Sequence, residues 1–301
     1  MKLTILGCFS ATPRNNAQTT AQILEVKGDV FLIDCGEGTQ IQLRKMGIKF
    51  NRIKNIFISH LHGDHFFGLI GLISTFRLLG RTSDLNIYGP KGIKEIILTQ
   101  LKHGKSWTDY NLIFHELVLK KSELIFENDK LTISTIPLDH RIYTNGFFFK
   151  EKIGLRRINK SAVDLYSIDY SYYENLKNGK DFVTNNEDLI LNKELTFNPK
   201  KPKSYAFCSD TGYDESIVSI IKNSSVLYHE STFLEKDREL AIKTKHSTAF
   251  DAAKIAVLSK ANKLVLGHFS SRYNDLSEFI IEAKSIFNNV ELAEEGKIIK
   301  I

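Results

Sequence analysis

Cysteine is scarce: Cys8, Cys35 and Cys208 are the only three in 301 residues. An odd set without Cys-X-X-Cys spacing makes a thiolate zinc site improbable, and positions in or beside apolar strand-like runs read as reduced, structural and cytosolic. No stretch approaches the roughly 20 apolar residues of a membrane span. The start, Met1-Lys2-Leu3-Thr4-Ile5-Leu6-Gly7, reads as a strand and a turn, too short for a secretory h-region. Low-complexity stretches and repeats detectable by identity are also missing. With 42% hydrophobic and 25% charged residues, the chain is expected to be a soluble globular protein of one large layered domain or two ordinary ones. Acidic residues are in deficit, and the formal net charge of +6 suits a polyanionic partner, although many basic proteins bind none.

Histidine is where the sequence concentrates its chemistry. His60-Leu61-His62-Gly63-Asp64-His65 packs imidazole nitrogens and a carboxylate into one short run, the donor mixture zinc takes. Residues Ile53 to Ser59 before it read as a short buried strand, and Phe66 to Leu79 after it as an apolar helix. On such a strand-to-helix loop alternate side chains can turn towards one point, and Gly63 permits the bend. His60 and His62 can then share one ion while Asp64 and His65 face a second. A lone histidine is more often packed or exposed, and His103 and His115 are read that way.

The rest of the chain repeats one device. Lys2 to Leu6, a polar loop at Pro13-Arg14-Asn15-Asn16, Ala21 to Val26 and Val30 to Asp34 read as a hairpin-like start. Asp34 ends its strand and opens a glycine-rich turn into a helix; its carboxylate can cap that helix, or accept hydrogen bonds from the metal loop and hold it in place. Next come strand Leu85 to Tyr88, helix Gly92 to Leu101, and strands Leu112 to Leu119, Glu123 to Glu127 and Leu131 to Leu138, the last closing on His140. Further strands, Ser204 to Ser209, Val226 to Tyr228 and Lys263 to Gly267, end at Asp210, His229-Glu230 and His268. A helix from Thr248 to Leu258 follows His246, with Ser247 or Thr248 as its N-cap. Each unit sets a potential ligand at the C-terminal edge of a strand, so two sheet edges can converge on one cleft. A dinuclear site follows, with His60, His62 and His140 on one zinc, His65, His268 and Asp64 on the other, and Asp210 bridging them. Two ions about 3.5 to 4 Å apart can activate a water between them, and Asp64 is assigned as the general base that takes its proton.

Residues 151–203 differ in character. They lean towards Lys and Arg, including Arg156, Arg157 and Lys160, carry Tyr166, Tyr170, Tyr172 and Tyr173, and lack long apolar runs. An ordinary surface insertion fits this composition, and so does a basic arm that contacts phosphates and stacks on bases.

The histidine loop, with Asp34 upstream and His140, Asp210 and His268 downstream, resembles the metallo-β-lactamase superfamily. More narrowly, Asp34-Cys35-Gly36-Glu37-Gly38-Thr39-Gln40, the loop from Ser59 to His65, Phe207-Cys208-Ser209-Asp210-Thr211, His229-Glu230-Ser231-Thr232-Phe233, His246-Ser247-Thr248 and Gly267-His268-Phe269-Ser270-Ser271-Arg272-Tyr273 resemble the ribonuclease Z family, in order and over nearly the full length. The resemblance implies an α/β fold, a four-layer αβ/βα metallo-β-lactamase sandwich spanning residues 1–301 as one domain, with 151–203 as an inserted flexible arm that grips tRNA. It implies two zinc ions, a cytoplasmic homodimer, and hydrolysis of precursor tRNA after the discriminator base, leaving a 3′-hydroxyl on the tRNA. His246 and Glu230 match positions that help stabilise the phosphate and protonate the leaving oxygen, and His229 supports the loop. Arg272 follows a ligand and can contact a phosphate or pair with an acid. Two departures stand out: Asp169-Tyr170-Ser171-Tyr172 replaces the Gly-Pro pair expected near the arm's tip, and the loop at Pro13-Arg14-Asn15 is spaced differently.

Rival readings keep the same ligands. A related hydrolase acting on a small ester, thioester, lactone or cyclic phosphodiester would use these metals, and only the His246 and Glu230 motifs, the basic segment and the net charge favour RNA over it. An RNA-binding scaffold with a dead metal site predicts lost ligands, yet all seven are present. A di-iron redox role is disfavoured by so histidine-rich a donor set.

Overall fold

The structure, a computed structural model, describes residues 1–12 and 17–301; the loop expected at Pro13-Arg14-Asn15-Asn16 lies outside the described residues. The chain divides into two compact units, Met1–Lys150 with Lys203–Ile301, and Glu151–Pro202.

In the larger unit, strands β1 (Lys2–Gly7), β2 (Ala21–Val26) and β3 (Asp29–Ile33) pair antiparallel. Strands β4 (Ile53–Phe57), β5 (Leu85–Pro90) and β6 (Leu112–Leu117) extend that sheet in parallel. Parallel neighbours need crossovers, and helices fill them: α1 (Thr39–Lys45) before β4, α2 (Gly63–Phe66) and α3 (Gly68–Leu78) before β5, and α4 (Ile93–His103) before β6. The expected helix from Phe66 to Leu79 is therefore two helices, beginning earlier and breaking at Phe67. The cause is close docking: Gly68 N donates to Cys35 O at 2.9 Å, and a Cβ on Gly68 would lie 2.1 Å from Gly36 O.

Strands β7 (Leu124–Glu127), β8 (Leu131–Leu138) and β9 (Thr144–Glu151) open a second sheet. The smaller unit follows, with β10 (Arg157–Ile158), α5 (Lys160–Leu165), α6 (Tyr173–Lys177), β11 (Phe182–Val183), β12 (Leu189–Ile190), α7 (Asn192–Leu195) and β13 (Thr196–Phe197). It folds around its own small core of Val163, Ile168, Leu176, Ile190 and Leu195. The chain then rejoins the second sheet at β14 (Ser204–Cys208), where Ser204 lies opposite Lys150 of β9. Strands β15 (Val226–Glu230), β16 (Leu264–Gly267) and β17 (Val290–Leu292) continue in parallel. Helices α8 (Arg238–Thr244), α9 (Ala249–Leu258) and α10 (Ser277–Lys284) lie in their crossovers, and β18 (Ile298–Lys300) returns to the edge of the first sheet beside β1. Thr248 is the N-cap of α9, completing a capping box with Asp251.

Both faces of the first sheet are apolar, which is why β3 reads Val-Phe-Leu-Ile with no polar alternation. Val30 and Leu32 join Leu43, Leu72, Phe76 and Ile97 on the helical side. Phe31 and Ile33 face the other way, into a core shared with Phe147, Phe149, Tyr205 and Phe207 of the second sheet. Phe31 and Phe149 have ring centroids 5.7 Å apart, and Phe57 and Phe147 5.3 Å. Ala252, Ala253 and Ala256 of α9 and Phe279 of α10 cover the second sheet from outside. The result is the helix–sheet–sheet–helix order of the αβ/βα sandwich, with the loops after β3, β4, β8, β14, β15 and β16 carrying the residues described next.

Candidate metal centre and active site

Asp34, Asp210 and His268 each follow a strand and each has positive φ, at 56°, 61° and 58°. Asp and His tolerate this left-handed backbone better than most residues, and it turns the chain sharply where the strand stops. Asp34 does not cap α1: Gly38 is its N-cap residue, with no side-chain cap bond. Its carboxylate instead accepts from Ser59 N at 2.7 Å, Ser59 Oγ at 2.9 Å and His65 Nδ1 at 2.7 Å, so it pins both ends of the histidine loop.

Three more of the imidazoles are aimed by a similar bond. His140 Nδ1 donates to Lys245 O at 2.9 Å and His268 Nδ1 to Thr232 Oγ1 at 2.9 Å, while His60 Nδ1 lies 3.0 Å from Ser59 Oγ. Tying one ring nitrogen frees the other as a ligand. His60 Nε2, His62 Nδ1 and His140 Nε2 converge, with separations of 3.0 and 3.3 Å from the His62 nitrogen. Asp210 lies between the two groups: Oδ2 is 3.5 Å from His60 Nε2 and 3.7 Å from His140 Nε2, and Oδ1 is 3.0 Å from His65 Nε2 and 3.2 Å from His268 Nε2. Asp64 Oδ2 approaches His65 and His268 at 3.5 Å each and accepts from Ala11 N at 2.8 Å. One donor atom from each of His60, His62, His140 and Asp210 lies within 4.8 Å of the others, and the same holds for Asp64, His65 and His268.

The electrostatics suit cations. Burial keeps His60, His62 and His140 below the ordinary imidazole range, hence neutral and able to ligate. Burial also opposes charge on His65, but Asp210, Asp64 and Asp34 around it raise its pKa well above the usual value. Against the same desolvation, His268 and His65 hold Asp210 ionised, and His65 and His268 do so for Asp64. Buried carboxylates of this kind persist only opposite positive charge, so the donor set fits two divalent ions.

Beside this cluster lies a second constellation. Buried Glu230 accepts from Thr211 N at 2.9 Å and His246 Nδ1 at 2.7 Å on Oε1, and from Thr232 N at 3.1 Å, Thr232 Oγ1 at 2.6 Å and Ser247 N at 3.1 Å on Oε2. Burial opposes its charge, but His246 first and His268 after it overcome that cost, and Glu230 falls to about 2. His246, despite its own burial, rises to about 9 beside that carboxylate. Its ring is 5.1 Å from His140 and 5.4 Å from His268, and it lines the same cavity of about 450 Å³ as His62, Asp64, Asp210 and His268.

Not every sequence-predicted residue joins this cleft. His229 is buried beside it, with Nδ1 against Glu230 O at 2.8 Å, and is absent from the cavity wall. Arg272 takes the acid-pairing reading: Nη1 is 3.7 Å from Asp237 and the guanidinium lies over Phe233. In the smaller unit Arg156 is used internally, Nε to Thr196 Oγ1 and Nη1 to Asn198 Oδ1 at 2.7 Å each, and Arg157 lies over Phe197. Lys160 begins α5. The sequence assigns no role to Ser59, Thr232 or Arg141: Ser59 and Thr232 stand inside the motifs quoted above, and Arg141 directly follows His140, which was the available signal.

Comparison with known proteins agrees with this geometry. Ribonuclease Z of Bacteroides fragilis is 44% identical over 300 residues, covering 100% of this chain and 99% of its own. That of Bacteroides thetaiotaomicron is 45% identical, covering 100% and 95%, and that of Cytophaga hutchinsonii 44%, covering 98% and 94%. A crystal structure of human tRNase Z, short form, superposes with a TM-score of 0.74 at 28% identity, covering 100% of this chain and 99% of that one. The metallo-β-lactamase fold protein YhfI of Bacillus subtilis, 18% identical with a TM-score of 0.69 and coverage of 99% and 98%, shares the fold. The family model described as anti-Pycsar protein Apyc1 matches residues 1–167, so that half belongs to it as well; the match stops short of Asp210, Glu230, His246 and His268. Full-length identity above 40% spans both halves of the site, and on it the chain belongs to the ribonuclease Z family.

Proposed function

We propose that the protein is a zinc-dependent endoribonuclease that removes the 3′ trailer of precursor tRNA by hydrolysing the phosphodiester after the discriminator base. The observation that carries this reading is His246, on the wall of the cavity that holds the histidine and aspartate cluster and bonded through Nδ1 to buried Glu230. His60, His62, His140 and Asp210 would hold one zinc, and Asp64, His65, His268 and Asp210 the other. When bound, two such ions supply an acidified water and neutralise charge on the phosphate. Asp64, held ionised and oriented by Ala11 N, accepts a proton from the attacking water. His246, cationic at neutral pH with Nδ1 engaged by Glu230, keeps Nε2 for the leaving 3′-oxygen and donates the proton it needs.

The reading extends to a cytoplasmic homodimer. Exposed Ile41 on α1 and Leu78 on α3, two helices that pack together, support an apolar face for a second copy, and three buried free cysteines support a reducing compartment. The test is cleavage of a 3′-extended precursor tRNA and of bis(p-nitrophenyl) phosphate by wild type and Asp64→Ala, with bound metal counted in each. A single cut after the discriminator, lost in the variant, is expected. Hydrolysis of the small diester with precursor tRNA ignored would instead make this a small-molecule phosphodiesterase.

A further inference from the structure

A second cavity, of about 410 Å³, adjoins the metal cluster and shares with its ligand set only His140. The segment from His140 to Asn145 forms one wall, with Lys120 and Ser216 on others, and Arg141 lines both this cavity and the catalytic one. Arg141 is the one arginine common to the two walls, placing a cation beside both the metal cluster's cavity and this one.

The cavity's charges are unevenly used. Its carboxylates are engaged: Asp139 pairs with Lys245 at 2.5 Å, and Asp214 accepts from Ser216 N and Oγ at 2.8 Å each. Its cations are not: among the described residues, neither the Arg141 guanidinium nor the Lys120 ammonium has a hydrogen-bond or ion-pair partner. The same cavity is lined by an aromatic ring packed in part against the core. Tyr143 donates its hydroxyl to Leu119 O at 3.1 Å and receives Asn145 Nδ2 at 2.7 Å, so the ring is ordered before any ligand arrives. Exposed Ile142 adds an apolar edge. Unpaired cations for a phosphate and a preset ring for a base are what single-stranded nucleic acid sites combine, and the volume falls within the ordinary ligand-site range of about 300 to 1,000 Å³.

We infer that this cavity is a nucleotide subsite, taking the RNA nucleotide next to the scissile phosphate, with Tyr143 against the base and Arg141 and Lys120 on the backbone. The inference rests on the RNA-cleaving reading above, and the experiment separates the two. The zinc-loaded protein and its Lys120→Ala and Ser216→Trp variants, the latter filling the cavity mouth, are assayed on precursor tRNA and on bis(p-nitrophenyl) phosphate. The expected result is a roughly tenfold fall in the ratio of kcat/KM for RNA to that for the small diester in each variant. For Lys120→Ala the dependence of log kcat/KM on log salt also becomes shallower by about one. An unchanged ratio in both variants, or losses that fall equally on both substrates, overturns the subsite. If wild type leaves precursor tRNA uncut, the proposed function fails on its own account. Binding of a fluorescent single-stranded RNA oligonucleotide then decides the subsite: weakening in both variants supports it, and equal affinity in all three proteins refutes it.

Discussion

Replacing Glu230 with glutamine keeps the side chain's shape and removes one acceptor. The new amide nitrogen must face either Thr211 N and His246 Nδ1, or Thr232 N and Ser247 N, so buried donors lose their partner whichever way it turns. Each orphaned donor costs about 1 to 3 kcal/mol. The ionic part can be sized from the pair: His246 moves from 6.5 to about 9 and Glu230 from 4.5 to about 2. These describe one attraction from its two ends and are counted once, as roughly 3 kcal/mol. Metal-free Glu230→Gln is therefore expected to lose about 4 kcal/mol of stability near pH 6. The sign with pH follows from each group. His246 is raised, so its contribution is complete below 6.5 and disappears as pH rises through about 9. Glu230 is depressed, so its contribution is complete above 4.5 and disappears as pH falls towards about 2. Urea unfolding of both proteins in chelator, followed by circular dichroism between about pH 4 and 10, should give a difference that is largest between 4.5 and 6.5 and shrinks on either side. A difference below about 1 kcal/mol, or one flat through pH 9, would refute this account of the pair.

Three more outcomes are expected. Asp34→Asn keeps the shape but loses the charge that aims His65, so zinc affinity should fall about 10- to 100-fold in competition with a chromophoric chelator; unchanged affinity would show that Ser59 and the backbone aim the loop alone. Because Lys150 and Ser204 are paired neighbours, replacing Glu151–Pro202 with an Asn-Gly turn should leave the larger unit folded. KM for precursor tRNA should rise while bis(p-nitrophenyl) phosphate is still hydrolysed, and an unaltered KM would remove the smaller unit from tRNA binding. Phe147→Ala empties a site between the sheets and should cost about 3 to 5 kcal/mol in denaturant unfolding; a loss under 1 kcal/mol would mean the sheets close over the gap.

The parts legible in the sequence were those where chemistry restricts residue type. Few side chains can ligate zinc, so His60, His62, Asp64, His65, His140, Asp210 and His268 announced themselves at strand ends, and the structure brings their donor atoms together. Glu230 and His246 were reached through motif resemblance, because nothing in their spacing reveals a five-donor carboxylate. Strand β9 went unread: Thr144-Asn145-Gly146 has the composition of a turn, yet Gly146 sits mid-strand, where a Cβ would meet Phe207 O at 2.2 Å. The core of the smaller unit was equally hidden, since Val163, Ile168, Leu176, Ile190 and Leu195 are isolated apolar residues with no shared period. Arg141 has no signature of its own, and its position on two cavities exists only in three dimensions.

The donor atoms come from widely separated parts of the chain: the loop after β4 is complete by His65, but Asp210 and His268 follow β14 and β16, in the last third. A nascent chain threading out of the ribosome thus carries the histidine loop long before the carboxylate that joins the two ligand groups and the last imidazole. On the proposed ligand set, a chain that has not yet placed β16 would lack the last imidazole and with it the second metal site.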